Sequence, residues 1–214
     1  TPKPSSAASD VYKRQIEKGF AGKLYHARAT FLRTRGIPRG TGWYQDPSKS
    51  GGGAIVDLAL PLIDLLAHFF QPAKPVSGFA LAQTAIAKLG VEEGGSMLLK
   101  FDDGASAELS CAWAMNQPPS QAGTTLRLFG DAGAIDVYTP RGPELHRNFD
   151  DRGNSKATPM KQPKLAGHPA LMRHFRDCIA NGAKPLVGAP EGVWLMQVIE
   201  SIYKSVATGK AVEF

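Results

Sequence analysis

Asp57, Pro61 and Asp64 stand at i, i+4 and i+7 in the run GGGAIVDLALPLIDLLAHFFQP, so on a helix they form one stripe of about two turns. Their neighbours Ile55, Val56, Leu58, Leu60, Leu62, Ile63, Leu65 and Leu66 make the helix apolar nearly all round, which marks it as buried. Two carboxylates in such a helix are costly unless they have partners, a solvent-filled cleft or a ligand. Backbone or arginine partners would make them structural. A cleft would make them a pair suited to proton transfer or to gripping sugar hydroxyls. Spacing alone leaves both open.

Trp43 and Tyr44, just upstream, either wall a substrate cleft or fold over their own core. Gly51, Gly52 and Gly53 open the helix, where free N–H groups can receive an anion. With no lysine following, close approach of backbone to a cofactor or substrate is the better use of three glycines. His26, His168 and His174 read as satisfied surface or core residues, and His68 as a cap acting through the helix dipole. Cys111 and Cys178 have no metal or redox spacing, so they are expected to be free thiols, buried in a reducing compartment, and no metal site is expected.

Read back through the genetic code, SSAASDVYKRQ (residues 5–15) spells a sequencing-library adapter ending in the transposon mosaic end, without a mismatch. Residues 1–15 are therefore expected to be a non-native tail that packs against nothing, with genuine sequence from Ile16, mid-gene. The remaining residues 16–214 suffice for one domain with a substantial core, or for a domain and a half. The formal charge of +6 includes Lys3, Asp10, Lys13 and Arg14 of the tail. The other basic residues are scattered, with no run and no aromatic interleaving, which gives nucleic-acid binding little support. The longest apolar run, residues 54–70, is interrupted by Asp57, Pro61, Asp64 and His68, against a membrane span. A cytoplasmic protein is expected.

The elements that would position these residues follow from pattern. GKLYHARATFLRTRG alternates as a half-buried strand, IPRGTGWYQDPSKSGGG is a loop, and the Asp57–Asp64 helix ends before Pro72. From Pro75 to about Arg147 the chain reads as strands, with FDDGA and FGDAGA as hairpin turns. Residues 148–167 read as a polar loop. HPALMRHFRDCIANG is an amphipathic helix with Leu171, Phe175, Cys178 and Ile179 on one face. A second helix carries Leu195, Val198, Ile199, Ile202 and Val206, and KAVEF closes as a strand. The sum is an α+β domain, a mostly antiparallel open-faced sheet with helices on one face. LSCAWAM leaves few polar positions on the other face, which favours cover by a second subunit.

GTGWYQDPSKSGGGAIVDLALPLIDLL resembles the start of the C-terminal domain of the Gfo/Idh/MocA oxidoreductases. Trp43, Tyr44, Gly51 to Gly53, Asp57, Ala59, Pro61 and Asp64 take the places of that family's motif in order, and EGVWLMQVIESIYKSVATGKAVEF resembles its ending. The resemblance implies a dihydrodipicolinate-reductase-like C-terminal domain that faces the substrate and forms homo-oligomers. It implies a Rossmann domain upstream, binding NAD or NADP and supplying a lysine, and a sugar, cyclitol or similar polyol as substrate. It places Asp57 and Asp64 at the catalytic centre, Trp43, Tyr44 and Pro61 at the substrate, and Gly51 to Gly53 by the cofactor. No G-x-G-x-x-G fingerprint occurs here, so this chain alone is expected to bind no nucleotide and to be inactive. Pro61 and Ala59 depart from the family's histidine and glycine. Proline carries no proton-transfer group and is expected to kink the helix. A non-catalytic relative kept for binding or oligomerisation is the alternative.

Overall fold

The computed structural model describes residues 12–14, 16–37, 42–139, 142–160 and 167–214. Strand β1 (Leu24–Leu32) leads through the loop to a π-helical turn (Ile55–Ala59) and helix α1 (Leu60–Phe70). Strands β2 (Pro75–Gln83), β3 (Gly94–Phe101), β4 (Ser106–Ala112), β5 (Gly123–Gly130), β6 (Gly133–Tyr138), β7 (Glu144–Arg147) and β8 (Lys156–Pro159) follow. Helices α2 (Gly167–Asn181) and α3 (Ala189–Thr208) precede a last strand, β9 (Val212–Glu213). The nine strands form one open sheet in the order β8-β7-β6-β5-β1-β4-β3-β2-β9. Neighbours run antiparallel except β1 and β4, which pair in parallel from His26↔Ser106 to Leu32↔Ala112.

Period-2 alternation explains how the sheet divides its faces. Ala27, Ala29 and Phe31 of β1, Met97, Leu99 and Phe101 of β3, and Ala107, Leu109 and Cys111 of β4 are buried. The helical side supplies Leu58, Leu62, Ile63, Leu65, Leu66 and Phe69, with Leu195, Val198, Ile199 and Ile202 of α3. Residues 47–70 are long and apolar enough to cross a membrane by length and composition, but much of that stretch is core of this sheet. Ser205, wholly buried, ties α3 to the sheet: its Oγ accepts from Ala80 N at 3.0 Å and donates to Lys210 O at 2.6 Å.

Four expectations are corrected. The loop of residues 37–53 contains two short helical turns, Trp43–Gln45 and Pro47–Ser50, the second capped by Asp46, whose carboxylate accepts from Ser48 N. The polar stretch 148–167 contributes edge strand β8, whose four residues are all exposed; with no buried face, it lacks the alternation that reveals a strand. In the leading tail, residues 1–11 and 15 lie outside the described residues, yet Tyr12 is buried in the core. Lys13 Nζ donates to the carbonyls of His68 (2.7 Å) and Gln71 (3.3 Å). A tail that packs against nothing fails at these two residues, because the Tyr12 ring brings enough apolar surface to hold a helical turn. Finally, Phe175 and Ile179 of α2 share a face as expected but are 59% and 71% exposed, since nothing among the described residues covers them.

The open face is more polar than LSCAWAM suggests, because Cys111 and Trp113 are buried. It carries a His26–Ser106 hydrogen bond (2.9 Å), an Arg28–Glu108 ion pair and a Thr30–Thr125 hydroxyl contact (2.7 Å), beside exposed Leu81 and Leu98. Further along, Asp136 is 1% exposed and accepts from Arg127, with His146 Nε2 at 3.3 Å and Glu144 close to that histidine. Burial pushes the Asp136 carboxyl up, but hydrogen bonds and charge from Arg127, helped by His146, hold it below the ordinary carboxylate value. Such a carboxylate contributes stability above its unfolded value, about 3.9, and loses that contribution as pH falls through the folded one. Asp136→Asn is expected to lower stability by about 1–2 kcal/mol at pH 7, the Arg127 side being partly screened by solvent. The difference should shrink below about pH 4, where the carboxyl of the unfolded chain takes up its proton before the folded one does. Urea unfolding at pH 7 and pH 3 measures both.

Candidate active site

The stripe predicted from spacing is real: Asp57, Leu60, Pro61, Asp64, Ala67 and His68 are the positions from the π turn to the end of α1 that stay partly or fully exposed, apart from Val56. Asp57 sits in the π turn. Its Oδ2 accepts from the indole N–H of Trp113 at 2.8 Å, with Arg33 Nη1 at 3.6 Å from the same oxygen. Both partners come from strand ends, Arg33 just past β1 and Trp113 just past β4. The parallel pairing of these strands brings them together: Arg33 N donates to Ala112 O at 2.9 Å. The carboxylate is 40% exposed, so it has anchors on one side and solvent on the other.

Pro61 lies within a helical stretch that runs from Ala54 to Phe70 and is interrupted in its regularity by the π turn. It is the second residue of α1, directly after the π turn, and Ala59 and Leu60 before it keep right-handed helical backbone angles. The wider turn takes up the break that proline imposes.

Asp64 faces elsewhere. It lines a groove of 480 Å³ with Ala67, His68, Leu186, Val187, Glu191 and Trp194 among its walls. Burial raises the Asp64 carboxyl above its ordinary value, and the negative Glu191 adds to the rise. Asp57 and Asp64 thus share a stripe but no side-chain partner among the described residues: Asp57 meets Trp113 and Arg33, and Asp64 the groove.

The glycine cluster is built into a hydrogen-bonded hub. Glu92 Oε1 accepts from Gly53 N (2.9 Å), Ile55 N (2.9 Å) and Tyr203 Oη (2.8 Å). The Tyr203 phenol is pushed up, first by burial and then by the Glu92 carboxylate, so it remains a donor. A Cβ at Gly53 would lie 2.1 Å from Glu92 O, and one at Gly52 would lie 1.9 Å from Tyr203 Oη. The helix-start N–H groups at Gly53 and Ile55 are therefore already satisfied by a carboxylate. These two N–H groups are not free for a phosphate, and at Gly52 and Gly53 the missing Cβ makes room for Tyr203 and Glu92.

Trp43 and Tyr44 stack on each other at 3.8 Å between ring centroids and remain 46% and 39% exposed, available as a wall rather than folded inward. His26 belongs to the open face, His168 is exposed, and His174 Nε2 accepts from Leu186 N at 3.1 Å. Cys111 is buried, its thiol pushed up to about 12 chiefly by burial, whereas Cys178 is only half-buried, 3.5 Å from His174 Nε2. Sequence reasoning missed Arg33, Glu92 and Trp113. One signal was present: a tryptophan in an apolar strand must find an acceptor for its N–H.

A sequence profile of the GFO/IDH/MocA C-terminal domain matches residues 11–136. Trans-1,2-dihydrobenzene-1,2-diol dehydrogenase of Mus musculus is 25% identical over 206 residues, covering 93% of this chain and 58% of that protein. The 1,5-anhydro-D-fructose reductase of Ensifer adhaerens is 26% identical over 215 residues, covering 98% of this chain and 61% of the reductase. In fold, the chain is similar to levoglucosan dehydrogenase in complex with NADH and levoglucosan, at a TM-score of 0.79 and 19% identity, over 99% of this chain and 63% of that one. The chain thus spans about three fifths of the length of the relatives it matches. Profile, motif order and sheet topology agree, and the chain belongs to the GFO/IDH/MocA family, matching its C-terminal domain.

Proposed function

We propose that residues 16–214 are the substrate-facing, oligomer-forming domain of an oxidoreductase acting on a sugar, cyclitol or similar polyol with NAD or NADP. The observation that carries this is Asp57: a half-exposed carboxylate held through one oxygen by Trp113, on the stripe where the family motif places its site. Relatives named as a sugar reductase and a levoglucosan dehydrogenase in complex with NADH support the substrate class and the cofactor. The nicotinamide, when bound, supplies hydride chemistry. This chain would supply Asp57 as acceptor for a substrate hydroxyl, Trp43 and Tyr44 as cleft walls, Asp64 and Pro61 along the same stripe, and Gly51 to Gly53 as backbone near the cofactor.

The nucleotide itself belongs to an upstream domain in this proposal. Support comes from the uncovered apolar residues of α2 and α3, Met172, Phe175, Ile179, Val193 and Met196, which need a surface to pack on. Leu81 and Leu98 on the open sheet face, beside its polar pairs, support a homo-oligomer there. Residues 1–15 remain assigned to adapter sequence, and a cytoplasmic enzyme is the setting that free thiols suggest.

Pro61 favours a second reading, a non-catalytic relative kept for binding or assembly, because proline can neither donate nor accept a proton in the histidine's place. One experiment separates the two. The reading frame is completed from the upstream DNA, and sugars and cyclitols are assayed with NAD and NADP. Turnover is expected, with no micromolar nucleotide binding by the isolated 214 residues. A completed protein that turns over no polyol supports the second reading. Micromolar binding by the isolated chain contradicts the domain assignment.

A further inference from the structure

We propose that Trp113 is a positioning residue, whose indole N–H fixes Asp57 Oδ2 and so sets the direction in which Oδ1 meets a substrate hydroxyl; this rests on the assignment of Asp57 to the substrate.

The two contacts of the Asp57 carboxylate, Trp113 Nε1 at 2.8 Å and Arg33 Nη1 at 3.6 Å, both go to Oδ2. Only the first is within hydrogen-bond distance. Trp113 is therefore the one side-chain hydrogen-bond donor to Asp57 among the described residues, and Oδ1 is the oxygen left for a ligand. The torsion that orients an aspartate carboxylate is broad and roughly two-fold, so one firm donor decides which oxygen faces out.

Trp113 is suited to that role by its own anchoring. It is 1% exposed, its backbone N–H donates to Glu93 O at 2.8 Å, and its backbone carbonyl accepts from Gly36 N at 2.6 Å. Glu93 is itself buried and accepts from Ile86 N (2.9 Å) and Ala87 N (2.7 Å). The backbone of Trp113 is thus held on both sides and its ring is enclosed by the core, whereas Arg33 is 33% exposed on a long side chain. A buried donor behind a half-exposed carboxylate is what a preorganised acceptor requires. Pro61, lacking a polar side-chain atom, leaves this task to Trp113.

The test removes the donor and keeps the shape. β-(3-Benzothienyl)alanine at position 113 replaces the indole N–H by sulfur, and Trp113→Phe is the genetic counterpart. In the isolated chain, Asp57→Asn is expected to move the Trp113 indole resonance in a ¹⁵N–¹H spectrum and to leave those of Trp43 and Trp194 in place. An unmoved Trp113 signal overturns the proposal. In the completed enzyme, either change at Trp113 is expected to lower kcat about 10- to 100-fold with KM little changed. Added to Asp57→Asn, it should lower kcat no further. Losses that multiply, or an unaltered kcat, overturn the proposal while Asp57 keeps its role. If Asp57→Asn alone leaves turnover intact, the assignment of Asp57 is what fails, and the positioning role falls with it.

Discussion

Asp57→Asn in the full-length oxidoreductase proposed above is expected to lower kcat by about 10²- to 10⁴-fold, the usual range for losing an acid–base group. The amide keeps the shape of the carboxylate and its oxygen can still accept from Trp113, so folding should be little affected. What disappears is a charged acceptor on the exposed side of the π turn. Steady-state kinetics and a thermal melt of the same preparation decide the matter. A lowered Tm with kcat unchanged would make Asp57 a structural anchor for Trp113. Pro61→His probes the neighbouring position: it restores an N–H and a titratable ring one turn along, and a family relative lacking catalysis only for want of that ring should gain turnover.

Gly53→Ala is expected to destabilise the domain by roughly 3 kcal/mol, the upper part of the range for overpacking a close-packed site. The added methyl meets Glu92 O at 2.1 Å, and a backbone carbonyl cannot swing aside as a side-chain tip can. That carbonyl also accepts from Ala54 N at 3.0 Å, and the same glutamate's carboxylate holds Gly53, Ile55 and Tyr203. Displacing it disturbs the whole helix start. At about 2–4 °C per kcal/mol for a domain of this size, the melting temperature should fall by roughly 6–12 °C. Differential scanning calorimetry of this chain measures it. A fall of less than about 2 °C would mean that the loop relaxes away from the β3 lead-in. Tyr203→Phe is the milder control, because it removes one donor from Glu92 and adds no volume.

The sequence revealed what repeats with a period and concealed what depends on distant pairing. Alternation in LYHARATFL and GGSMLLKF, and the apolar stripe of Leu195, Val198, Ile199 and Ile202, were enough for the sheet and for α3. Edge strand β8 escaped because all its residues are exposed. The break at Pro61 was visible, but its resolution as a π turn was not, since that depends on how the helix start is anchored by Glu92 from another element. In the site, Asp57 could be singled out by the cost of burying it. Trp113, 56 residues away in sequence, could not be paired with it before the parallel register of β1 and β4 was known. Tyr12 shows the converse error. A segment set aside for its origin still had a ring that the core could use.

That parallel register also governs when the domain can form. Strand β1 lies in the middle of the sheet, yet its partners are β4 and β5, so residues 24–32 must wait for residues 106–130. Pairings of such long range are slow, because loop closure precedes any gain from contact. During synthesis at about 5–20 residues per second, the roughly 100 intervening residues take on the order of 5–20 s to appear. For that interval the emerging strand has both of its hydrogen-bonding edges open, with Ala27, Ala29 and Phe31 uncovered. The hairpins from β2 to β4 can assemble first, and β1 then enters between two finished edges. Its pairing joins the two halves of the sheet, and the ends of β1 and β4 cannot meet around Asp57 before it.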